Sequence, residues 1–100
     1  MYCYVWEYEV RGERQSTFEN AYGPEGEWVQ LFQRDPGYVR TILLRGRESR
    51  ARFVTVDFWT SREAFQAFRE RFRTEFEALD ERFEALTRRE TYLGDFDIVK

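Results

Sequence analysis

The chain has no histidine, a single cysteine, a single lysine and two prolines among its 100 residues. Without histidine there is no Ser-His-Asp or Cys-His nucleophile system. Nor is there a histidine to ligate zinc or haem iron. The side chain that ordinarily titrates near neutrality is missing. Any acid–base step therefore falls to a carboxylate of shifted affinity, a tyrosine, or Lys100. Cys3 has no partner for an intrachain disulfide, which accords with a reducing cytoplasm. With no histidine, lysine or second cysteine beside it, Cys3 reads as a buried, inert thiol. No apolar run approaches the roughly 18 residues that a membrane-spanning helix needs. The first residues lack the charged and apolar regions of a signal peptide, so the expected location is cytoplasmic. No phosphate-cradling Gly-x-x-x-x-Gly-Lys loop occurs. The formal net charge of −3 argues against a general nucleic-acid binder.

What the sequence does hold is aromatic surface: 19% of its residues are Phe, Trp or Tyr. One domain over residues 1–100 is expected, large enough to bury a core without disulfides or metal. Residues 2–10 alternate with period two, with Tyr4, Trp6, Tyr8 and Val10 on one face. That is a strand. Ser16-Thr17-Phe18-Glu19 matches a capping box, and a helix is expected from there to Arg34. Gly23 and Pro24 break it in two, with Pro24 suited to the first turn of the second piece. Asp35-Pro36-Gly37 is a turn signal. Strands are expected from Tyr38 to Arg45 and from Ala51 to Trp59, joined by an arginine-rich hairpin. Thr60-Ser61-Arg62-Glu63 is a second box, opening a helix with Phe65, Phe68, Phe72, Phe76, Leu79 and Phe83 on one stripe. Thr74-Glu75-Phe76-Glu77 marks a bend. Gly94 is read as the helix stop, leaving Phe96 to Val99 as a short last strand.

The order β-α-β-β-α-β defines an α+β, ferredoxin-like split βαβ fold: a four-stranded antiparallel sheet with helices on one face. Taking the aliphatic face of the third strand as the covered one puts Glu7, Glu9, Thr55, Asp57 and Trp59 on the helix-free face. A face so aromatic marks an interface or a pocket. The same strand order serves RNA recognition motifs. However, only the Phe53-Val54 portion of their third-strand signature is present, so no nucleic-acid partner is expected.

Val54-Thr55-Val56-Asp57-Phe58-Trp59-Thr60-Ser61-Arg62-Glu63-Ala64-Phe65 resembles the antibiotic biosynthesis monooxygenase superfamily, whose members end this strand in an acidic residue, an apolar residue and tryptophan. Asp35-Pro36-Gly37-Tyr38 is similar to the family's approach to its second strand. Phe18-Glu19, Tyr22-Gly23-Pro24, Gly26, Trp28 and Leu31-Phe32 look like a small subgroup of that family. The resemblance implies a homodimeric α/β barrel with a cavity for a hydrophobic or aromatic small molecule. Some members oxidise phenols or quinols with O₂ and no cofactor; others degrade haem on a histidine ligand that this chain lacks. Trp59 matches the cofactor-free oxygenases. Thr55 stands where they carry asparagine, and Phe65 where a tyrosine would be.

Candidate catalytic residues are thus Trp59, with Asp57 or Glu7 as a carboxylate base. Thr55, Phe65 and the residues flanking the Gly23-Pro24 break, Tyr22 and Trp28, are candidates to line the cavity. No metal site is expected. Each has a structural alternative: Trp59 as core or dimer interface, Asp57 and Glu7 as partners of Arg40 or Arg52, Tyr22 and Trp28 as packing at a bend. A dimeric binding or stress-related module without catalysis is the alternative function.

Overall fold

A computed structural model describes residues 1–100. The strands are β1 (Tyr2–Val10), β2 (Tyr38–Arg45), β3 (Arg52–Trp59) and β4 (Thr87–Asp97). They form one antiparallel sheet in the order β2-β3-β1-β4. The helices are α1 (Gln15–Tyr22), α2 (Glu27–Phe32), α3 (Arg62–Arg71) and α4 (Arg73–Phe83). This is the expected ferredoxin-like α+β arrangement.

Local chemistry shifts several boundaries. A 3₁₀ turn over Gly12–Arg14 runs directly into α1, so Ser16 lies inside the helix and caps nothing. The break at Gly23 is real, but Pro24 stays in the connection and α2 starts three residues later behind Gly26. A side chain at Gly26 would stand 2.3 Å from the Ala21 carbonyl oxygen, so this close approach requires glycine. The second capping box works one residue further on than its pattern suggests. Ser61, not Thr60, accepts the Ala64 amide at 3.0 Å. The bend between α3 and α4 falls at Phe72, whose backbone leaves the helical region at φ −111°, ψ 29°.

The last strand is the main correction. The helical region ends at Leu86, and β4 runs over Thr87–Asp97 rather than Phe96–Val99. Gly94 is no helix stop: it lies within β4 at φ 128°, where the register against β1 slips between Val5 and Trp6. This is a β-bulge, and the left-handed backbone explains the glycine. The bulge also reverses which residues face the helices. Glu90 and Tyr92 do so before it, opposite Tyr8 and Trp6; Asp95 and Asp97 do so after it, opposite Tyr4 and Tyr2.

The faces of the sheet are a second correction. Pairings Tyr2–Trp59, Tyr4–Asp57, Trp6–Thr55 and Tyr8–Phe53 put these residues together on one face. That face is the one beneath the helices: Phe53, Thr55, Asp57 and Trp59 are all buried. Only Glu7 and Glu9 of the expected set remain on the helix-free face. They share it with Val5, Ile42, Leu44, Val54, Val56 and Phe58. Trp59, Phe18, Phe53 and Phe68 are at most 1% exposed and form the centre of the core. The β3 alternation has the expected period, but the opposite face is the covered one, because the aromatic core takes in Thr55 and Asp57.

Candidate functional site

Between the helices and the sheet lies a cavity of about 570 Å³. Its floor is buried: Tyr4 and Tyr8 from β1, Thr55 and Asp57 from β3, and Tyr22 and Trp28 either side of the α1–α2 break. Trp6, Thr41, Phe65 and Phe76 form half-buried walls. Arg69, Asp80, Glu90 and Tyr92 are exposed and form the rim.

Asp57 is the chemically distinctive group. It is 7% exposed and has no arginine partner; its ion-pairing alternative with Arg40 or Arg52 is not realised. Burial pushes its carboxyl up from 3.8 to about 7, against the opposing pull of hydrogen bonds from Thr41 and Tyr4. The Thr41 hydroxyl donates to Asp57 Oδ1 at 2.5 Å and shares a 2.8 Å contact with the Tyr38 hydroxyl. Burial also raises Tyr4, Tyr8 and Tyr22 above the ordinary phenol range, so all three remain protonated donors. The floor therefore combines one carboxyl titrating near neutrality with neutral phenols. In a protein without histidine, that is a group suited to general-base work.

The sequence candidates separate spatially. Asp57, Thr55, Tyr22, Trp28 and Phe65 all line the cavity. Trp59 does not: it is 0% exposed and sits behind the wall, with ring centroids 4.9 Å from Phe68, 5.2 Å from Phe65 and 5.5 Å from both Phe32 and Tyr38. Its indole N–H is buried without a hydrogen bond, although close enough to Tyr4 to favour that phenol's ionised form slightly. Glu7 lies on the opposite face of the sheet, ion-paired to Arg52 beside a smaller polar recess. Cys3 is buried on that same face, and burial raises its thiol.

Several lining residues were absent from the candidates. Tyr4, Trp6 and Tyr8 also line the cavity, and the period-two pattern of β1 puts them on one face. Glu90 and Tyr92 lie on the stretch of β4 before Gly94, where nothing local in the sequence distinguishes strand from helix end. Arg69 and Asp80 carry no sequence signal distinguishing them from other charges on a helix. No three His, Cys, Asp or Glu side chains are grouped to hold a metal ion. No helix is long and apolar enough to cross a membrane.

The antibiotic biosynthesis monooxygenase profile matches residues 1–85, and the chain belongs to that family. No curated protein matches its sequence. Among solved structures, SnoaB, a cofactor-independent oxygenase from Streptomyces nogalater, is 25% identical with a TM-score of 0.80. The match covers 99% of this chain and 93% of that one. A SnoaB variant with an asparagine replaced by alanine aligns at 25% identity over the same shares, with a TM-score of 0.82. A Nitrosomonas europaea protein described by the same family name has a TM-score of 0.74 at 17% identity, with both chains fully covered. A MhuD variant holding two manganese protoporphyrin IX molecules per active site has a TM-score of 0.75 at 22% identity, covering 100% of this chain and 96% of that one. These last two likenesses concern the fold.

Proposed function

We propose that this protein is a cofactor-independent monooxygenase acting on an electron-rich aromatic or quinol-like small molecule held in the cavity. Asp57, a buried carboxyl at about 7 on the floor of an aromatic cavity, carries the reading. Likeness to SnoaB supports it. A histidine-ligated haem has no axial ligand in this chain.

The ionised Asp57 takes a proton from the bound ring, and the Thr41 hydroxyl steadies the carboxylate. The carbanion or phenolate so formed is electron-rich enough to react with O₂, and the aromatic walls keep water from it. For a ring methylene flanked by phenols the balance closes without a reductant. Both C–H bonds break, one oxygen atom remains as the new carbonyl, and the other leaves as water. Thr55, Phe65, Tyr22 and Trp28 shape the cavity around the ring. Trp59 acts from behind by fixing Phe65, and Glu7 has no part in the chemistry.

The same reading takes residues 1–100 as one cytoplasmic domain that pairs with a second copy. The aliphatic helix-free sheet face supports the pairing: Leu44 is 49% and Phe96 53% exposed on it.

Oxygen consumption with a panel of anthrones and quinols tests the enzyme. Turnover above buffer is expected, rising with pH as Asp57 ionises through about 7. Asp57→Asn should lower it at least about a hundredfold, the range of a lost general base. No turnover with any member of the panel would overturn the enzymatic reading. Binding of the same compounds, followed by tryptophan fluorescence, would then favour the non-catalytic module.

A further inference from the structure

The cavity rim is charged unevenly. Asp80 on α4 and Glu90 on β4 have no cation within ion-pair distance; six of the 19 carboxylates are paired to an arginine, and neither of these is among them. Burial raises the Glu90 carboxyl, and repulsion from Asp80 and Glu84 adds to it; no cation offsets the shift. Arg69 is the one cation of the lining. Its guanidinium lies over the Phe76 ring, 4.1 Å from the centroid, and it lowers the proton affinity of neither Asp57 nor Glu90. The acidic pair is thus not neutralised from within the protein. These carboxylates are also not grouped to share a metal ion.

An independent observation points to a ligand at the same place. Tyr22 is 7% exposed and lines the cavity; the Trp28 indole N–H lies close enough to its oxygen to favour the ionised phenol, yet the hydroxyl makes no hydrogen bond of ordinary geometry and is not sealed from the cavity space. The charges of Glu90 and Asp80 both act on it. The neighbouring Trp28 N–H is likewise unpartnered, and the Tyr22 and Trp28 rings lie 6.1 Å apart, with Phe76 4.9 Å beyond Trp28. Carboxylates without counter-ions, a free phenol oxygen and several ring faces are the elements that recognise an organic cation.

We propose that the rim formed by Asp80, Glu90 and Tyr22 is a specificity subsite for a protonated amine carried by the aromatic ligand. The ammonium donates to the rim carboxylates and to Tyr22 Oη, and its ring system lies on the floor toward Asp57. Register separates the two ends: Asp57 is opposite Tyr4 and Glu90 opposite Tyr8. Four strand residues at about 3.3 Å each separate them by about 13 Å along the strands, and two inter-strand spacings add about 10 Å across the sheet, room for a fused ring system. A carboxylate at the same position on the ligand is repelled. The inference rests on the aromatic-cavity reading and specifies which aromatics it takes.

The probes are three matched anthraquinones bearing an aminomethyl, a methyl or a carboxylate group, titrated by tryptophan fluorescence at neutral pH and low salt. The aminomethyl compound should bind at least about tenfold more tightly than the carboxylate, with the preference shrinking as salt rises. In the double variant Asp80→Asn with Glu90→Gln, both on the rim, the preference should fall below about threefold, the aminomethyl compound losing more affinity than the methyl compound. The single Glu90→Gln variant repeats the test should the double variant misfold. Equal binding of all three compounds, tighter binding of the carboxylate, or a preference that survives the substitutions overturns the amine subsite and leaves the aromatic cavity standing. Binding of none of the three overturns both.

Discussion

The two faces of the sheet are built from the same four strands and do opposite things. Under the helices the side chains are aromatic and hydroxylic, and one carboxyl, Asp57, is buried with only hydroxyls for partners. On the helix-free face they are aliphatic, and the acidic residues Glu7 and Glu9 are paired to Arg52 and Arg89 near its edge. The cavity carboxyls Asp57, Asp80 and Glu90 thus lack a cation, whereas Glu7 and Glu9 of β1 each have one. A carboxyl enclosed by rings and phenols, as Asp57 is, becomes a proton acceptor near neutrality. The acidity that matters is set by surroundings rather than by residue type.

This contrast can be broken most severely from the covered side. Trp59→Ala removes a fully buried indole touching four aromatic rings and should cost about 3–5 kcal/mol in denaturant unfolding. A loss below about 1 kcal/mol would show that Trp59 is not part of the packed core.

Asp57 offers the next largest effect. Its folded-state affinity is raised from 3.8 to about 7, so the folded protein holds the proton more tightly than the unfolded chain. Its contribution is fully present below about pH 4 and is lost as pH rises through about 7, on the order of 4 kcal/mol in all. Asp57→Asn should therefore be more stable than the parent at pH 8 and lack this component of the slope. A parent protein equally stable relative to the variant at pH 4 and pH 8 would place Asp57 in water.

On the helix-free side, Val56→Asp sets an unpaired charge in the centre of the proposed pairing surface. It should weaken the dimer at least about a hundredfold. Sedimentation of the parent near 12.3 kDa at micromolar concentration would rule out the pairing itself. The smallest effect belongs to Glu7→Gln. Its pair with Arg52 is largely exposed, so stability should change by less than about 1 kcal/mol and turnover not at all. A loss of turnover there would join the two faces functionally.

Periodicity carried much of this structure. The alternation in β1, the turn at Asp35-Pro36-Gly37 and the phenylalanine stripe of α3 and α4 are each local, and each appears as expected. In that turn, Asp35 Oδ1 accepts the Gly37 amide at 2.8 Å. Gly94 shows where locality fails. A glycine after a helical stripe looks like a helix end, and only pairing with β1 reveals a bulge. Glu90 and Tyr92, on the same stretch of β4, are obscured with it, and so is the rim of the cavity.

By itself the sequence determined the strand order, the family, and the absence of histidine that leaves carboxylates as the acid–base groups. The tertiary structure decided which face of β3 is covered, and hence that Asp57 enters the cavity while Glu7 does not and Trp59 stands behind its wall. The physical reason is that alternation defines two faces without naming the inner one. Only the helices packed above, and the water they exclude, decide which carboxyl is pushed toward neutrality.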